Sequence, residues 1–164
     1  MTEDELIMAT RDRLAGPPSP IWEARDPRPP VTAEEWSTFE AAVGLPLPPL
    51  LRRVYMEIGD GGWGPWAGLC PLGVRGDEDE PWFSVLGQWE GGIEARDAVE
   101  AEDESYLLYF CNGGCVVFSV FDTTTGRVGL RDGEEPILWQ ADSLHDWFER
   151  WLVGEHVMSF GNPA

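Results

Sequence analysis

Lysine is absent from this chain of 164 residues, and all 11 of its basic side chains are arginines. Positive charge is scarce altogether: 30 acidic groups face those 11, for a formal net charge of −19. A polyanion cannot neutralise phosphates, so direct binding to DNA, RNA or an anionic membrane is disfavoured, and electrostatic steering favours a basic protein partner. Cysteine is limited to Cys70, Cys111 and Cys115. An odd count leaves at least one free thiol, which suits a reducing compartment better than a disulfide framework. No apolar run approaches the roughly 18 residues of a membrane span. Met1-Thr2-Glu3-Asp4-Glu5 has neither the cationic region nor the apolar core of a signal peptide, so a cytoplasmic location is expected.

What is plentiful is tryptophan and glycine. Nine tryptophans and a hydrophobic content of 43% define a globular chain with one sizeable core, not a disordered acidic tail. Backbone constraint is densest from Ile58 to Gly73, where Gly59, Gly61, Gly62, Gly64 and Gly68 are interleaved with Trp63, Pro65 and Trp66. Glycine serves where φ turns positive or backbone must approach closely, so this stretch reads as a rigid corner. A phosphate cradle would need G-x-x-x-x-G-K-[ST] or G-x-G-x-x-G running from strand into helix. Neither spacing is present, and the order here is helix, then loop, then strand.

The remaining elements follow from caps and periodicity. Thr2 and Glu5 have capping-box spacing and open a helix over residues 2–15 with Leu6, Ile7 and Leu14 on its apolar stripe. A proline-rich connector to Pro30 carries Ile21 and Trp22, expected to anchor it to the domain. Thr32-Ala33-Glu34-Glu35 is a second capping box, Trp36, Phe39 and Val43 share a face, and Gly44 ends that helix. Leu50, Leu51, Val54, Tyr55 and Ile58 recur at helical spacing up to the corner. Leu69 to Val74 is expected to hold a short strand. Tyr106 to Cys111 and Cys115 to Phe121 are apolar arms of a hairpin turning at Asn112-Gly113-Gly114, with strands at 127–130 and 137–139 completing an antiparallel meander. Leu144, Trp147, Phe148, Trp151 and Leu152 form a wide stripe on a closing helix capped by Asp142 or Ser143.

Negative charge is concentrated. Between Asp77 and Glu104 there are 11 acids against the single Arg96, which gives this window −10 of the total. A run of acids on a loop is ordinarily solvated surface, but Trp82 and Trp89 beside it resemble the aromatic anchors of protein interfaces. Catalytic chemistry is poorly supported. Cys111-x-x-x-Cys115 has only Cys70, His145 and His156 to complete a four-ligand metal site, and the two histidines lie outside the usual close spacing. The cysteines flanking the hairpin turn are read instead as small buried hydrophobes. No elbow motif surrounds a cysteine or serine, and none of the many carboxylate pairs is marked as a catalytic dyad. No metal, cofactor or catalytic residue is therefore expected.

The order of Trp36 and Phe39, Leu45-Pro46-Leu47-Pro48, Tyr55, Gly61-Gly62-Trp63-Gly64-Pro65 and Gly68-Leu69 resembles the SMI1/KNR4 family, also called the SUKH superfamily. Cys111-Asn112-Gly113-Gly114-Cys115, Gly126-Arg127-Val128 and the helix from Leu144 to Leu152 resemble the rest of that domain. Trp63 stands where phenylalanine is the more frequent residue. The resemblance implies an α+β fold with a twisted, mostly antiparallel sheet and helices packed against it. It divides the chain into an N-terminal helix and connector (1–30), the domain (31–156) and a tail (157–164). It also implies a non-enzymatic protein-binding role, foremost that of an immunity protein neutralising a cognate toxin, often a nuclease. The alternative is a regulatory scaffold in cell-envelope or signalling assembly. A nuclease presents a cationic cleft that an acidic inhibitor can occlude. The partner-binding residues expected on that basis are Asp77, Glu78, Asp79, Glu80, Trp82, Glu100, Glu102, Asp103 and Glu104.

Overall fold

A computed structural model describes residues 1–76, 83–98, 106–155 and 157, without the side chains of 92–98. Helix α1 (Glu3–Ala15) begins where expected, with the Thr2 hydroxyl accepting from Glu5 N–H and the Glu5 carboxylate accepting from Thr2 N–H. Leu6 and Ile7 are buried as α1 packs on α3 (Pro49–Glu57) and α5 (Leu144–Leu152). The second capping box opens α2 (Ala33–Val43), and Gly44 closes it at φ 69°. Backbone bonding from Val31 N–H to the Tyr55 carbonyl, at 3.1 Å, ties the start of α2 to α3.

The corner after α3 is built as its glycines require. Gly61 has φ 75°, and a Cβ there would lie 2.6 Å from the Leu69 carbonyl oxygen. At Gly62, with φ 78°, it would lie 2.5 Å from the Asp26 carbonyl oxygen, so any side chain would push two strands apart. Out of this corner come β2 (Trp63–Pro65) and β3 (Gly68–Leu69), the latter shorter than the expected strand. Strand β2 pairs antiparallel with β1 (Glu23–Arg25), a strand inside the proline-rich connector that propensity did not reveal. It is this pairing that fastens the connector. Trp22, expected to be buried as an anchor, is 68% exposed.

The main sheet has the order β3-β4-β5-β6-β7 and is antiparallel throughout, with β4 (Leu107–Gly114), β5 (Val117–Asp122), β6 (Val128–Asp132) and β7 (Leu138–Ala141) forming the meander. Its tight turn is Cys115-Val116 and not Asn112-Gly113-Gly114: Asn112 faces Phe118, Gly114 faces Val117, and a bulge lies between them. Cys115, at φ 51°, supplies the left-handed residue, and it is exposed where a buried side chain was expected. Helix α4 (Val85–Ala98) occupies the centre of the acidic window. The ring of Phe110 in β4 meets Trp147 of α5 edge-on at 5.0 Å, and Trp63 lies against Phe148 and Trp151 of α5 at 6.0 and 6.1 Å. The α+β architecture is the one the residue pattern implied.

Candidate protein-binding face

The expected partner-binding residues Asp77, Glu78, Asp79, Glu80, Trp82, Glu100, Glu102, Asp103 and Glu104 lie outside the described residues. The helix between the two acidic segments is described, as is the ground from which the first segment departs. Every amide at the start of α4 is accounted for: Val85 and Leu86 N–H donate to the carbonyls of Pro71 and Leu72, and Gly87 and Gln88 N–H to the hydroxyl and carbonyl of Ser84. Such docking fixes the helix to the corner by backbone bonds rather than by its own propensity. Trp89, read from the sequence as an interface anchor, is only 7% exposed and belongs to the core, while Glu90 beside it faces solvent.

Arg75, two residues before the first expected acid, holds the ground under that segment. Its Nε and Nη2 donate to the two carboxylate oxygens of Glu35 at 2.8 and 3.0 Å. Nη1 and Nη2 also donate to the carbonyls of Pro29 and Pro30, and Nη1 lies 3.4 Å from Oδ2 of fully buried Asp60. The other Asp60 oxygen accepts from Leu72 N–H at 2.8 Å. Helix α2, the connector and the corner thus converge on one guanidinium. The two-pronged hydrogen bonding from Arg75, with a further bond from Thr32 N–H, holds the Glu35 carboxyl down at about 2. A carboxyl depressed on folding stabilises the protein above its unfolded value, and that contribution disappears as pH falls through the folded value. Stability is therefore expected to fall between about pH 4.5 and 2, and the Glu35→Gln variant to lose part of that slope, as read from urea midpoints over this range.

Several other arginines are engaged within the molecule, while Arg11, Arg52 and Arg150 are exposed. Arg13 pairs with buried Glu23 at 2.7 Å and donates to the last-turn carbonyl of Leu152, while Arg25 Nη2 donates to the carbonyls of Arg13, Leu14 and Gly16 that end α1. Arg53 bridges Asp4 and Glu57, Arg150 pairs with Asp146, and Arg127 lies over the Trp139 ring at 4.6 Å. Pairs exposed like these add little stability. Their consequence is the sign of the surface: cations are engaged within the molecule, while Glu34, Glu40, Glu90, Glu134 and Asp142 remain exposed.

The buried polar groups are structural. Burial pushes the Cys70 thiol up to about 12 and the Cys111 thiol well above its usual range, so neither supplies a thiolate. Tyr55, likewise raised by burial, donates its hydroxyl to the Cys70 carbonyl at 2.7 Å. His145 faces Glu149 one turn along α5 at 3.8 Å. Among the described residues, no three His, Cys, Asp or Glu side chains form a metal-binding group, and no helix is long and apolar enough to cross a membrane. The Arg75 clamp went unread in the sequence; its one available signal was a lone arginine directly preceding a run of acids.

Helices docked on an antiparallel meander define an α+β scaffold. The model of the SMI1 / KNR4 family (SUKH-1) matches residues 30–150, and the chain belongs to that family. A coarse protein-binding role goes with this membership. Among curated proteins, none matches the chain.

Proposed function

We propose that this protein is an immunity protein, which binds a cognate toxin and neutralises it by occlusion, with no bond made or broken. The observation that carries this reading is the arrangement of charge in a family of protein-binding domains: a net −19, with −10 between Asp77 and Glu104, on a scaffold where Arg13, Arg25 and Arg75 are engaged internally. The partner is a basic protein, and a nuclease, whose substrate cleft must be cationic, fits best. The contact surface proposed is the acidic window with Trp82.

The test is co-expression with the product of the neighbouring gene, scored by rescue of growth, followed by stopped-flow association of the purified pair. Replacing Asp77, Glu78, Asp79 and Glu80 by their amides is expected to slow association by roughly 10-fold or more at low salt and to flatten its salt dependence. Unchanged rates would remove the window from the interface. Failure to rescue growth, with binding to a non-toxin envelope or signalling protein instead, would favour a regulatory scaffold.

A further inference from the structure

The turns of this fold gather at one end of the sheet. Trp66 N–H bonds to the Trp22 carbonyl, placing the entry to β1 beside the β2–β3 turn. Ala67 N–H bonds to the Asn112 carbonyl, setting that turn against the far end of β4. Gly133 N–H bonds to the Val116 carbonyl, which brings the β6–β7 turn against the β4–β5 turn. A continuous rim therefore runs from Trp22 and Trp66 through Cys115 and Val116 to Glu134 and Glu135.

Three features of this rim point to a contact. Trp22 is 68% exposed and Val116 58%, among the most solvent-facing large apolar side chains described. The Trp22 and Trp66 rings meet edge-on at 5.5 Å, leaving the Trp22 ring open to solvent. Among the described residues the two non-glycine positions with positive φ, Trp66 at 55° and Cys115 at 51°, both sit here, and residues held in such conformations cluster at functional sites. At the Val116 end of the rim the charge is negative: Glu134 and Glu135 are exposed, and the nearby Arg131 folds back onto the Glu135 carbonyl. An open indole attracts a cation over its ring, and the carboxylates at the other end of the same rim attract a second.

We propose that this rim is a second docking surface, which takes an arginine-rich segment of a protein partner, with a guanidinium over Trp22. It rests on the protein-binding reading but not on the acidic window: Tyr106, where the second acidic segment rejoins the sheet, precedes the opposite end of β4, about 26 Å away at 3.3 Å per residue.

The experiment is NMR titration of the full chain with a nine-residue arginine peptide at low salt, with a nine-residue glutamate peptide as control. The Trp22 and Trp66 indole N–H signals and the Cys115 and Val116 amides are expected to shift with the arginine peptide alone. Trp22→Ala is expected to weaken binding at least about tenfold without moving the thermal midpoint, because the ring is exposed. A variant with Asp77, Glu78, Asp79 and Glu80 converted to amides separates the two surfaces. Rim shifts that persist in it support the rim independently of the window. Shifts confined to residues 77–104 and abolished in that variant overturn the rim and leave the window intact. No binding, or equal binding of the glutamate peptide, also overturns it.

Discussion

Trp63→Ala is expected to lower the free energy of unfolding by about 3–5 kcal/mol, the range for removing a large aromatic from a packed core. Against a typical total of roughly 5–15 kcal/mol, that is enough to leave a substantial unfolded fraction on mild heating. Trp63 is fully buried, its indole N–H donates to the Gly59 carbonyl at 3.1 Å, and its ring lies against Phe148 and Trp151. It also pairs across β1 and β2 with Arg25, so the cavity would open where connector, corner and closing helix meet. Trp63→Phe keeps a ring in that space and loses only the indole hydrogen bond, since the Gly59 carbonyl still accepts from Gly61 N–H at 2.9 Å, and about 1 kcal/mol is expected. Trp22→Ala, at an exposed position, should move the urea midpoint little. Equal midpoints for the Trp22 and Trp63 alanine variants would show that the corner does not depend on this ring.

Elements whose signals are local were legible before any coordinates. The Thr2 and Thr32 capping boxes close as the spacing of Glu5 and Glu35 implies, and the Leu144 to Trp151 stripe is buried throughout. Elements made by distant partners were not. Helix α4 carries Gly87, Gly91 and Gly92, and its start is fixed by carbonyls of Pro71 and Leu72 from the corner. Strand β1 has three residues in a proline-rich segment and exists because Gly64 and its neighbours lie opposite. The hairpin was foreseen but its turn was misplaced by two residues, because Asn112-Gly113-Gly114 has turn chemistry while the bulge and Cys115 set the register. Of the candidate site, the sign of the charge was readable, and the residues expected to carry it lie outside the described ones. The Arg75 anchorage was not readable, since Arg75 and Glu35 are 40 residues apart.

That anchorage yields the second large effect. Arg75→Ala is expected to cost about 3 kcal/mol, near the lower bound for removing one partner of a buried charged pair. The loss has three sources. Asp60, fully buried, loses the cation 3.4 Å from its Oδ2; the Pro29 and Pro30 carbonyls lose their donors; and Glu35 loses both prongs of its hydrogen bonding. Arg75→Lys keeps the charge but cannot bond Glu35 and two carbonyls with a planar fork, so it should recover less than half of the loss. The double variant Arg75→Ala with Glu35→Gln should be less destabilised than the sum of the single changes, because the two residues share one contact. These outcomes are read from urea unfolding at pH 7 and again at pH 3. The gap between Arg75→Ala and the unaltered protein should narrow at the lower pH, because below about 4.5 the unfolded chain takes up a proton that the clamped carboxyl of the folded unaltered protein refuses until about 2. Strict additivity in the double variant would mean that Arg75 and Glu35 act separately.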